Sequence, residues 1–127
     1  MIGKFVISGK LPGLNEILTE YKKHFQVGAR QKREQMERVQ WAILAAKLPV
    51  FTLPVGIRIR WFEPNKRRDI DNISAGTKFI LDALVSMKKI PNDTQRWVKE
   101  INHEFPEPDK TNPRVEVSVS NEWLGFI

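Results

Sequence analysis

Cysteine is missing from all 127 residues of the chain, which excludes disulfides and any thiolate metal site and suits a reducing compartment. Histidine is almost missing. His24 and His103 stand alone with no companion at ligand spacing, so a zinc or copper centre has nothing to be built from, and both read as surface or hydrogen-bonded side chains. Long hydrophobic runs are lacking too: WAILAAKLPVF is interrupted by Lys47 and Pro49 and cannot span a bilayer. The opening MIGKFVISGKLPG is too polar for a secretory signal. Neither an internal repeat nor a low-complexity tract is present. These absences predict a soluble cytoplasmic protein with no membrane partner. Acid is in short supply relative to base, 15 residues against 21, giving a net charge of +6. The cations cluster, which favours a polyanion such as nucleic acid as partner, although the same charge also serves solubility alone. The length suits one domain, residues 1–127, with a single core.

Patterning predicts a mixed α/β (α+β) fold. KFVISGKL alternates apolar Phe5 and Ile7 with its neighbours and meets Pro12-Gly13, a strand ending in a turn, with Asn15 placed to cap the short helix that follows. From Ala29 to Lys47 the chain has no glycine or proline and spaces Met36, Val39, Ile43 and Ala46 on one helical face. VGIRIRWF alternates again, a strand with Val55, Ile57, Ile59 and Trp61 on its buried side. Ile73, Thr77, Ile80, Leu84 and Met87 recur at helical spacing through ISAGTKFILDALVSMKK. QRWVKEINHEF reads as a strand, PEPDKTNP as a hairpin connection and RVEVSVS as the last strand. The expected order is β-α-α-β-α-β-β, a small mixed sheet covered by helices on one side. Trp41, Trp61 and Phe79 suit core packing ahead of base stacking, and the apolar tail with Trp123, Leu124, Phe126 and Ile127 suits docking onto the core or a dimer contact.

The chemistry concentrates in NKRRDIDN, residues 65–72. In extended chain Asp69 and Asp71 would project to one side, about 6 to 7 Å apart at their alpha carbons. Hard carboxylate oxygens select Mg²⁺, with Mn²⁺ able to substitute. The plain alternative is that Asp71 only caps a helix. Asp93, in IPND beyond the helix, is a candidate third ligand, but roughly 24 Å of helix axis separates it from the pair. The loop must fold back, or a second chain must complete the site. Lys78 lies two helical turns after Asp71, placed either to neutralise a phosphate or to pair with Asp82 at i+4. Lys66, Arg67 and Arg68 would draw DNA phosphates toward the acids, with Arg30, Lys32, Arg33 and Arg58 as a wider positive surface or as plain solvated cations.

Residues 66–95, KRRDIDNISAGTKFILDALVSMKKIPNDTQ, resemble the signature of the RusA-type Holliday junction resolvases, endonucleases of phage and prophage origin. The likeness rests on Arg67-Arg68-Asp69-Ile70-Asp71-Asn72, on Lys78 before Asp82-Ala83-Leu84, on Asp93 with Gln95, and on the opening GKLPGLNE. Two departures stand out: the Asp71–Lys78 spacing is about three residues longer than in the family, and Asn92 replaces a loop aspartate. The resemblance implies a RusA-like homodimer that resolves four-way junction DNA by paired nicks in recombination and repair. It also implies Asp69, Asp71 and Asp93 as Mg²⁺ ligands and Lys78 as a catalytic cation.

Overall fold

Period-two alternation is realised as strand in both places where it is cleanest. Ile2–Ser8 forms β1, with Gly3, Phe5 and Ile7 buried, and Val55–Phe62 forms β2, with Val55, Ile57, Ile59 and Trp61 buried. The computed structural model describes residues 1–23 and 25–122, so the expectations for His24 and for the tail from Trp123 lie outside the described residues. Between the two strands run α1 (Leu14–Lys23) and α2 (Phe25–Ala46); after β2 come α3 (Ile70–Ser74), α4 (Thr77–Ser86), β3 (Val98–Glu104) and β4 (Arg114–Ser120). The four strands form one mixed sheet in the order β1-β4-β2-β3. Only β2 and β3 are parallel; β4 runs antiparallel to both β1 and β2. This is a small α+β domain.

The helices cover one face of the sheet. Val39 and Ile43 of α2 and Ile80, Ala83 and Leu84 of α4 meet Phe5, Ile57, Ile59, Val117 and Val119 in one continuous core. Fully burying such a side chain stabilises by about 1.5–3 kcal/mol, whereas an exposed ion pair contributes about 0–1, so this core dominates the energetics. The opposite face carries Arg58, Arg60, Glu104 and Glu116, joined in surface ion pairs. Among the described residues no helix is long and apolar enough to cross a membrane.

Five local expectations are corrected. β3 and β4 do not form a hairpin: β4 sits between β1 and β2, and residues 105–113 carry the chain across the end of β2. The helix after β2 is broken at Ala75-Gly76, where Gly76 packs so tightly that a Cβ there would lie 3.1 Å from Leu11 and 3.3 Å from the Trp61 ring. Gly28 lies inside α2 rather than before it, at a point where α1 and α2 come together and an added Cβ would meet the Tyr21 ring at 2.5 Å. Trp41 is 69 % exposed, while Trp61 and Phe79 are core residues at 1 % and 3 %. Asn15 falls within α1 rather than capping it.

Candidate functional site at the carboxyl ends of the parallel strands

Ligands of sheets with parallel strands gather beyond the strands' carboxyl ends. Here the loops leaving β2 and β3 meet at that end, tied by the Asp109 backbone N–H, which donates to the Glu63 carbonyl at 2.9 Å. The first loop holds Lys66 through Asp69; the second begins at Phe105.

Arg68 organises the first loop. Its Nε donates to Glu63 Oε1 at 2.7 Å and its Nη2 to Glu63 Oε2 at 2.8 Å, while Nη1 donates to the Leu11 carbonyl at 3.0 Å and to Glu16 Oε1 at 3.2 Å. The Arg68 and Glu63 side chains are only 12 % and 9 % exposed. Burial alone would lower the guanidinium pKa, but bonding and charge from Glu63 and then Glu16 outweigh it and raise it. Arg68 is thus placed as an internal brace. Asn72 is a second brace, its Oδ1 accepting the Asn15 backbone N–H at 3.0 Å. The Pro12-Gly13 turn fits between them: a Cβ on Gly13 would fall 2.5 Å from Asn72 Oδ1 and 2.8 Å from Arg68 Nη1. Two motifs far apart in sequence therefore form one docked unit.

That unit presents the acids. Asp69 has extended backbone and occupies the N-cap position of α3, yet its side chain makes no cap hydrogen bond. Asp71 lies in the first turn of α3, where its Oδ1 accepts only the adjacent Asn72 N–H, at 2.9 Å. The alternation expected of an extended segment therefore stops at Asp69, because Asp71 is already helical. Both side chains are exposed, and no ion pair reaches either among the described residues. Arg67 is exposed, its backbone N–H bonded to Asn65 Oδ1 at 3.0 Å. Lys66 bridges to Glu107 of the second loop at 3.3 Å, with both side chains largely in water. Under this bridge lies a crevice of about 290 Å³ with Trp61, Ile73, Phe105 and Pro106 among its walls.

Asp93 sits at the other end. The Val55 N–H donates to the Trp97 carbonyl and the Phe51 N–H to the Lys89 carbonyl, so the loop containing Asp93 adjoins the amino end of β2. Asp69 and Asp71 follow its carboxyl end, and the eight residues of β2 span roughly 25 Å. Among the described residues, no three or more His, Cys, Asp or Glu side chains are gathered for a metal ion. Magnesium, however, is commonly held by one or two carboxylates plus substrate phosphate while keeping several waters, and the exposed Asp69 and Asp71 fit that donor set.

Lys78 pairs with Asp82 at 3.1 Å, the i+4 alternative, and Lys32 reaches the same carboxylate at 3.5 Å. Arg30 and Arg33 are exposed on α2. Arg58 projects from the face of the sheet that the helices leave open, beside Glu104, so it does not join the α2 cations in one patch. Glu63, Glu16 and Phe105 escape a reading by motif. Glu63 carried a signal nonetheless, as an acid directly after a strand of buried residues. Comparison of the sequence with protein-family models and with curated proteins finds no match in either.

Proposed function

We propose that the chain is a magnesium-dependent endodeoxyribonuclease that resolves four-way DNA junctions by paired symmetric nicks, acting as a homodimer. The observation that carries this reading is that Asp69 and Asp71 stand exposed with no cation partner among the described residues, although Arg68 is their neighbour. Carboxylates that merely braced a basic surface would be paired with it. Arg68 is instead committed to Glu63, leaving the acids open to an ion and Arg67 open to phosphate, with Lys66 held only by its exposed bridge to Glu107. The resemblance of Arg67 through Asn72 to the RusA signature supports the same assignment.

Asp69 and Asp71 would hold Mg²⁺, with Mn²⁺ as a substitute. When bound, the ion supplies activation of water and polarisation of the scissile phosphate. Arg67 and Lys66 offset the repulsion between carboxylates and DNA and bring phosphate toward them. Asp93 of a second copy is the proposed third carboxylate, since its own chain holds it at the far end of β2. A two-fold dimer also supplies the two sites that paired nicks require.

The lack of a three-carboxylate group among the described residues of one chain favours a second reading, a non-catalytic nucleic-acid-binding module. Asp71→Asn separates the two. The enzyme loses Mg²⁺-dependent junction cleavage while binding is kept or tightened, because a charge that repels phosphate has gone. Cleavage absent from the unaltered protein would leave the binding module. Equal cleavage of flap, fork and four-way substrates would instead make it a general structure-specific nuclease.

A further inference from the structure

The crevice beneath the Lys66–Glu107 bridge combines apolar walls with a polar side made by Glu63, Asn65 and Arg68. Ile70 and Ile73 of α3 form one side, Phe105, Pro106 and Pro108 the other, and Trp61 is part of the floor. Its volume, about 290 Å³, lies at the small end of ligand pockets, the scale of one ring system. Phe105 at 39 % and Ile70 at 63 % exposure leave apolar surface open at the mouth. The walls are fixed independently of any ligand. Asp109 ties the second loop to Glu63 and accepts hydrogen bonds from Thr111, Asn112 and Arg114, and Arg68 holds the first loop.

Charge identifies the occupant. The apolar mouth opens beside Lys66 and against Ile70, which in sequence separates the two acids. A molecule with a planar apolar ring and a phosphate one bond path away fits both features at once. We propose that this crevice receives one unstacked nucleobase from the DNA strand whose phosphate lies at Asp69 and Asp71. Phe105 offers a stacking face, and Asn65, whose Oδ1 is taken by the Arg67 N–H, lines the same crevice with an amide nitrogen able to donate to a polar edge of the base. The Lys66–Glu107 bridge, exposed and therefore weak, opens to let the base in and frees Lys66 for the phosphate. Branch preference follows. Unstacking a base from continuous duplex is costly, whereas the bases at a branch point have already lost part of their stacking. The proposal deepens the nuclease reading and rests on it for the choice of DNA.

The test uses a four-way junction with 2-aminopurine at the branch and a linear duplex of the same sequence, both in Ca²⁺ to hold binding apart from cleavage. Binding should change the branch fluorescence of the junction. Ile70→Ala with Phe105→Ala, both at exposed positions, should lower junction affinity about tenfold, abolish the fluorescence change and leave duplex affinity within about twofold. Unchanged junction affinity and fluorescence in this variant overturn the base site, including the case in which the crevice takes an apolar protein side chain. Cleavage of the same junction in Mg²⁺ is read separately. Wild-type protein that binds through the crevice without cleaving refutes the nuclease and keeps the base site; cleavage that survives with binding indifferent to the variant does the reverse. No junction binding at all overturns both.

Discussion

Arg68 grips Glu63 with two parallel hydrogen bonds, of 2.7 and 2.8 Å, between side chains that are 12 % and 9 % exposed. Lys66, two residues earlier, pairs with Glu107 at 3.3 Å, but these side chains are 74 % and 86 % exposed. Burial separates the two cations. Arg68 fixes where Asp69 begins, and Lys66 remains available to a partner.

Arg68→Ala should cost about 3 kcal/mol in urea denaturation, because Glu63 is left as a buried charge with no cation. Arg68→Lys should recover only part of this, since an ammonium cannot reproduce the two-pronged contact. Lys66→Ala should change stability by about 0.5 kcal/mol or less. Equal losses for the two alanine variants would refute the division of roles.

Gly13→Ala tests the docking of the amino-terminal turn onto the acidic segment. The added Cβ meets Asn72 Oδ1 at 2.5 Å and Arg68 Nη1 at 2.8 Å, and both partners are held by other bonds, so neither can yield freely. The expected loss is about 1–3 kcal/mol. Under the nuclease reading, cleavage should fall further than stability alone accounts for, because Asp69 and Asp71 move with Arg68 and Asn72. Native stability in the variant would show that the turn and the segment pack more loosely.

How far the sequence foretold this arrangement depends on the range of each interaction. β1 and β2 were legible because alternation along one strand is local and both faces of the sheet have unequal access to water. The partner of β4 was not, since its place between β1 and β2 depends on residues more than fifty positions away. The glycine at the helix break, Gly76, is required by Trp61 and Leu11, neither of them a helical neighbour. Arg67 and Arg68 are alike in sequence. What separates them is Glu63 and Glu16, the latter 52 residues away from Arg68. The distance of Asp93 from the acidic pair follows from the parallel β2–β3 pairing: a crossover helix must return the chain to the start of the next strand, and Asp93 lies on that return.

Asp82 draws both Lys78 and Lys32 onto one carboxylate, at 3.1 and 3.5 Å. Two cations bound in this way contribute less to a DNA-binding field than two free ones. Asp82→Asn should therefore raise affinity for DNA at low salt and steepen the fall of log affinity with log salt by about 1 to 2. Junction and linear duplex should change alike, because phosphate contacts carry no sequence information. An unaltered salt slope would place Lys32 and Lys78 away from the DNA path.

His103 connects the strand core to pH. Its Nδ1 accepts a hydrogen bond from the Trp61 indole N–H at 3.0 Å, and the two rings stack with centroids 6.0 Å apart. Burial lowers its pKa below the usual 6.5. The unfolded chain therefore takes up a proton at His103 while the folded chain still excludes it. Stability from this group is complete above pH 6.5 and is lost progressively as pH falls through the lower folded value. Protonation also removes the acceptor that the Trp61 N–H uses. His103→Gln keeps an acceptor and cannot titrate, so its unfolding free energy should vary less between pH 7 and about pH 5 than that of the unaltered protein. The comparison is by urea denaturation at each pH, and parallel curves for the two proteins would show that acid sensitivity in this range originates elsewhere.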